Sequence, residues 1–461
     1  MTETSMQKLR TYFQDNRAQI LEEFLDFLRL ATVSTDPAYA AEMTKGSQWL
    51  ASYLSQMGFS VEIWPTSGHP TLFAEHSSAG TDKPTVLFYN HYDVQPVDPL
   101  ELWHSPPFSP RIEGETIYAR GAQDNKGQCF YLFQALKALL QRDGCLPVNV
   151  KLCIEGEEEC GSAGLAGILT DRRKRLRADA LAIVDVGLPG PQQPAVTLGL
   201  RGLISMDITA TGAKVDAHSG SHGGLLYNPI RALVELLAAL YDDEGKVAVP
   251  GFYDEVREIS SQDKARLTLQ FDAQAYLHTF GVAPTGGEKH LHPLERNWLR
   301  PTLEINGICG GYTGAGVKTV IPAQAVAKLS CRLVPGQDPQ ITAHRVADYL
   351  ISRAPAGIQL SVQVHAGRGA AVRSCPDSAP VRAFAQAYEE VFGCRCSFIL
   401  EGASIPIATE LAQASGAELV LYGMGLATDN IHAPNEHFSV DRIEKGLLVT
   451  ARALELYASL W

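Results

Sequence analysis

A chain of 461 residues exceeds the size at which a single hydrophobic core usually stops growing, so two domains are expected. Hydrophobic residues at 45% and charged residues at 20% exclude a disordered or fibrous chain. A formal net charge of −12 argues against nucleic acid or an anionic membrane surface as partner, since both call for basic patches.

The N-terminal stretch reads as an amphipathic helix with Glu22, Glu23 and Asp26 interspersed, and lacks the basic start, apolar run and cleavage site of a signal peptide. No apolar run is long enough to span a bilayer. The 9 cysteines, scattered singly, fit reduced thiols better than a disulfide framework, which points to the cytoplasm. From about 48 to 185, helical and strand patterns alternate. Strands are expected at 61–64, 71–75, 85–90, 148–154 and 180–184, with a helix at 126–140 and another starting near Gly161. That is an α/β fold, a mostly parallel sheet flanked by helices. After Gly202 the pattern changes to strand, helix, strand, strand, helix, strand, with an irregular stretch at 242–300. We therefore expect a catalytic domain of residues 1–201 and 376–461, interrupted by a smaller α+β domain at 202–375.

The strand at 85–90 delivers His91 and Asp93 at its carboxyl end, where open α/β sheets gather ligand groups. Alone, such a pair reads first as a structural hydrogen bond. Asp124 stands at the mouth of a helix between Gly121 and Gly127, as a helix cap or as the bridging carboxylate that two close cations require. Glu155, Glu157, Glu158 and Glu159 crowd a strand end; they form either a solvated turn or a site that holds positive charge. Asp185 closes another apolar strand, and Asp429-Asn-Ile-His432-Ala-Pro-Asn435-Glu436 follows late in the chain. Two imidazoles and several carboxylates converging on one sheet edge, with no cysteine among them, suit zinc, manganese or cobalt.

In this order the motifs His-x-Asp, Asp-x-Lys-Gly, Glu-Glu-x-Gly-Ser, Asp and His-x-x-Asn-Glu resemble the dinuclear metallopeptidases that include carboxypeptidase G, carnosinase, aminoacylase and succinyl-diaminopimelate desuccinylase. The cytosolic non-specific dipeptidase branch is the most similar, and the resemblance runs over nearly the whole chain. It implies two divalent ions, zinc foremost, one held by His91, Asp124 and Asp185 and the other by Asp124, Glu159 and His432. It also implies Glu158 as general base to a water shared by the ions, with Asp93 orienting His91.

By the same resemblance 202–375 is a lid and dimerisation domain whose His218 polarises the scissile carbonyl of the partner subunit's substrate, in a homodimer. Arg332 and Ser404 would grip the substrate carboxylate, and His365 would make a further contact, although Arg368-Gly369-Ala370 departs from the Pro-containing run of animal relatives. Cys160 has no base beside it and reads as a buried thiol. His290 and His292 read as part of an irregular segment rather than as a metal pair. The expected function is hydrolysis of dipeptides or short peptides with a free carboxylate. The alternatives are N-acyl amino acid deacylation, carboxypeptidase action, and a binding protein that lost catalysis.

Overall fold

Thr85–His91 is buried almost throughout, as its apolar run requires, and lies inside a 9-stranded sheet. In the computed structural model, which describes residues 4–267, 271–365 and 367–461, this strand has Asn149–Glu155 and Ala180–Ile183 as parallel neighbours. Glu418–Leu421 pairs in parallel with Ala180–Ile183 on the far side. Ser60–Trp64 and Thr71–His76 run antiparallel, so the sheet is parallel at its centre and antiparallel toward that edge. Parallel neighbours need crossovers. The helices Lys126–Asp143 and Ala163–Leu176 supply them, each between two of these strands in the chain.

Lys126–Asp143 is buried on nearly every face, and its first residue is a lysine. The Lys126 ammonium is satisfied by the carbonyls of Phe27 at 3.2 Å and Leu30 at 2.5 Å, where the helix Ser5–Leu28 ends. Burial lowers its pKa to about 7. The start of the helix that follows Asp124 is thereby pinned to the protein interior.

Contacts divide the chain into two units: Met1–Gly199 with Arg373–Ile399 and Ile407–Trp461, and Leu200–Val372 with Leu400–Pro406. The short segment Leu400–Pro406 differs from the sequence expectation, which left it in the catalytic domain. Its attachment is local: the Arg201 guanidinium donates to the Gly402 carbonyl at 2.9 Å, and the Arg201 N–H donates to the Ala403 carbonyl at 3.1 Å.

The second unit is built on an antiparallel sheet in the order Thr302–Gly310, Gln324–Leu333, Gly202–Thr211, Gln359–Val364. Strict alternation buries Ile204, Met206 and Ile208 on one face, in a cluster with Leu233 and Leu237 of helix Pro229–Ala238 and Val346 and Leu350 of helix Pro339–Ser352. Asn228 and Asp338 cap those two helices. The stretch expected to be irregular carries Ser261–Arg266, Ala273–Phe280 and Pro293–Trp298. Each opens on a side-chain cap, from Ser260, Asp272 and His292, but each is too short to display a helical period.

Candidate functional site

The carboxyl edge of the parallel strands gathers the acidic and imidazole side chains. His91 ends Thr85–His91 and lies in register with Glu155, the last residue of Asn149–Glu155. A short 3-10 turn, Glu158–Cys160, follows and is closed by Gly161 at φ 95, a conformation open to glycine. Asp185 comes just after Ala180–Ile183. Asp124 precedes the helix Lys126–Asp143 and makes no cap, since Asn125 occupies that position.

Asp124 divides its two oxygens between two groups. Its Oδ1 lies 3.2 Å from His91 Nε2, which is itself 3.8 Å from Asp185 Oδ1. Its Oδ2 lies 2.9 Å from His432 Nε2, which is 3.5 Å from Glu159 Oε2. His91, Asp124 and Glu159 offer ligand atoms that all fall within 4.8 Å of one another. The sequence expected Asp124 to be shared by two ions; the structure puts His91 beside one of its oxygens and His432 beside the other.

Two features test whether this donor set fits a metal. The His91 Nδ1 lies 3.1 Å from the Asp93 carbonyl, which can only accept, so Nδ1 carries a proton and Nε2 is the nitrogen left to face a metal. Among the described residues, His91 Nε2 and Glu159 Oε1 are buried without a hydrogen-bond partner. An imidazole nitrogen and a carboxylate oxygen, both buried and without a hydrogen-bond partner, fit a cation between them. The acids around His91 call for positive charge there: burial disfavours the imidazolium, yet Asp124, Asp185 and Asp93 outweigh it and hold the pKa well above its ordinary value, so that without a cation a second proton takes the place at Nε2 that a metal would fill. Burial, reinforced by neighbouring acids, raises Glu158, Glu159 and Asp185. Asp124 is lowered against the cost of its own burial by His432 and His91.

The glutamate run separates by contact. Glu157 turns away: a Cβ added at Gly68 or Gly164 would come within 1.8 Å of its carboxylate. Glu159 accepts from Gln95 Nε2 at 2.6 Å and faces His432. Glu158 is half-buried, feels the charges of His91, Asp185, Asp124 and Asp93, and makes no ion pair with either imidazole among the described residues. Asp93 does more than was expected of it. Besides its closeness to His91, its Oδ1 accepts from the Glu158 N–H at 3.2 Å and its Oδ2 from the Glu159 N–H at 3.0 Å and Ser34 Oγ at 2.7 Å.

Several polar residues went unnoticed in the sequence. Asn125 Nδ2 donates to Asp185 Oδ1 at 2.6 Å, and its Oδ1 accepts from Asn90 Nδ2 at 2.7 Å. Gln95 and Ser34 likewise hold acids of the site. Only the adjacency of Asn125 to Asp124 offered a signal; the others lie outside any motif. Cys160 is exposed rather than buried, because it ends the turn Glu158–Cys160 on the surface.

In the second unit Arg332 Nη1 donates to Ser404 Oγ at 2.9 Å. Nearby Arg201 donates to Thr302 Oγ1 at 3.2 Å, and burial followed by the charge of Arg332 lowers its pKa to about 10. His218 and His365 do not join this group. His218 is exposed and lies 3.3 Å from Thr319 Oγ1, and His365 lies 3.0 Å from Asp207 Oδ1.

The profile of peptidase family M20/M25/M40 matches residues 87–456, a span that contains each site residue expected from the sequence. The chain belongs to this family. It is 27% identical over 463 residues to the Cys-Gly metallodipeptidase dug1 of Schizosaccharomyces pombe, with 96% of each chain covered. Over 441 residues it is 31% identical to the Beta-Ala-His dipeptidase of Homo sapiens, covering 92% of this chain and 86% of that one. The solved M20 family metallo-carboxypeptidase from Sulfolobus solfataricus matches with a TM-score of 0.87 and 32% identity, over 95% of this chain and 99% of its own. The family expected from the ordered motifs and the α/β fold expected from the alternating helices and strands are those found, and this M20 chain is a peptidase.

Proposed function

We propose that this M20 chain is a metal-dependent dipeptidase acting on small peptides with a free C-terminal carboxylate. The observation that carries the reading is the convergence of His91, Asp124 and Glu159 within 4.8 Å at the sheet edge. His91, Asp124 and Asp185 would hold one ion, and Asp124, Glu159 and His432 the other. When bound, such a pair supplies a water of lowered pKa and polarises the scissile carbonyl. Zinc suits the mixed imidazole and carboxylate donors, and manganese or cobalt can replace it.

Glu158 acts as general base and passes the proton to the leaving amine; the burial that raises its pKa also raises its basicity. Asp93 keeps Glu158 and Glu159 in place through their N–H groups. Arg332 and Ser404 take the substrate carboxylate, His365 adds a contact, and His218 stabilises the developing oxyanion from the partner of a homodimer. The 9 free cysteines support a reducing compartment, the cytoplasm.

The likeness to the Sulfolobus metallo-carboxypeptidase favours a second reading, removal of C-terminal residues from longer peptides. A panel of dipeptides and longer peptides, assayed before and after chelation and after zinc, manganese or cobalt is restored, tests both. Dipeptides cleaved fastest, with activity lost to the chelator and regained with metal, is the expected result. Full activity after exhaustive chelation would overturn the metal-dependent reading, and faster cleavage of longer peptides would favour the second.

A further inference from the structure

We propose that Glu436 is a positioning residue that presets the loop carrying Asp124 before any ion binds, an inference that rests on Asp124 being the shared ligand. Glu436 is completely buried. Its Oε2 accepts from Arg120 Nη1 at 2.8 Å and from the Gly121 N–H at 2.8 Å. Its Oε1 accepts from the Gln123 N–H at 3.0 Å and the Asp124 N–H at 3.0 Å. Both oxygens are thus filled, and every donor comes from the segment 120–124.

The anchor is itself held. Arg120 is 1% exposed, its Nη2 donates to the Pro96 carbonyl at 2.8 Å, and its guanidinium lies 5.4 Å from the centre of the Trp103 ring. The neighbouring Asn435 serves a different segment, accepting from the His104 N–H at 2.8 Å and donating to the Leu102 carbonyl at 2.9 Å. The Asn-Glu end of the late motif therefore ties two separate loops to the strand that follows His432.

The reason for such a clamp is electrostatic. Asp124 faces the acids Glu158, Glu159 and Asp185, which repel it. An unclamped loop would relieve that repulsion by moving away, and ion binding would then have to supply the ordering. A glutamine at 436 would keep the shape but turn an amide N–H toward two N–H donors.

The test is cobalt(II) binding, measured by chelator competition on chelator-stripped full-length protein, with circular dichroism and thermal unfolding alongside. Glu436→Gln should fold, bind cobalt about 10- to 100-fold more weakly, and at saturating cobalt leave KM for a dipeptide unchanged. A folded variant with parental cobalt affinity would overturn the proposal. Hydrogen exchange of the segment 120–125 in the parent needs no variant. Slow exchange of the Gly121, Gln123 and Asp124 amides before cobalt is added supports presetting, and fast exchange that slows only with cobalt overturns it. Failure of the parent to bind cobalt is a separate result, which removes the metal reading and this inference with it.

Discussion

Glu158 and Glu159 are chemically identical neighbours whose surroundings give them different work. Glu159 has one oxygen on Gln95 and faces His432, while Glu158 is half-buried and feels the charges of His91 and Asp185 without pairing to either imidazole among the described residues. Glu158→Gln is expected to keep metal and lower kcat by roughly 10²- to 10⁴-fold, the usual contribution of a general base. Glu159→Gln should instead weaken metal binding, and metal analysis with turnover separates the two; reversed phenotypes would exchange the roles. Glu155, three residues earlier, behaves otherwise. Burial pushes its pKa from 4.5 up to about 8, while Tyr89 and Ser162 donate to its carboxyl. The folded state keeps a proton that the unfolded chain loses above the ordinary value. This stabilisation is complete below pH 4.5 and is lost as pH rises through about 8. Glu155→Gln cannot ionise, so its melting temperature should gain on the parent between pH 6 and pH 9 in chelator. A gap that does not change with pH would show that Glu155 is ionised in the folded chain.

Between elements, Asp93 joins the end of one parallel strand to the turn that follows another. Its carboxylate takes the N–H groups of both Glu158 and Glu159. Asp93→Asn offers one acceptor oxygen where two are used and should lower kcat more than it raises KM; a pure KM effect would contradict this. In the second unit, Arg332 and Arg201 stand together at strand ends with Ser404 between loop and strand, and neither arginine has an ion-pair partner in the described residues. A charge-assisted bond of about 1.5–3 kcal/mol is available to a carboxylate there. Ser404→Ala with Arg332→Lys should raise KM for a dipeptide by roughly tenfold or more. The same pair of changes should matter little for a C-terminal amide, and equal losses on both substrates would exclude carboxylate recognition.

At the scale of the molecule, the second unit is inserted in the chain of the first, and His218 belongs to it. Symmetric pairing is the commonest way for such chains to associate. If His218 acts across a dimer, inactive His218→Ala chains mixed with inactive Glu158→Gln chains should recover activity. Random pairing makes half the dimers mixed with one intact site each, so about a quarter of parental activity is expected. Mixed dimers that stay inactive, or an active monomer, would remove the partner subunit from the mechanism.

The sequence by itself determined the parallel centre of the sheet, because buried strands need continuous apolar runs, and it determined which acids and imidazoles stand at strand ends. The order of His91, Asp124, Glu158, Asp185 and His432 along the chain was enough to identify the family. Tertiary structure alone decided how those residues share their contacts. That Asp124 turns one oxygen to His91 and the other to His432 depends on bringing together residues 308 positions apart. The supporting contacts of Gln95, Asn125 and Glu436 were illegible for the same reason: each is a hydrogen bond between distant segments, and no local period or propensity encodes it. The short helices of 242–300 escaped notice on different grounds, since a helix of one or two turns ends before its period can be read.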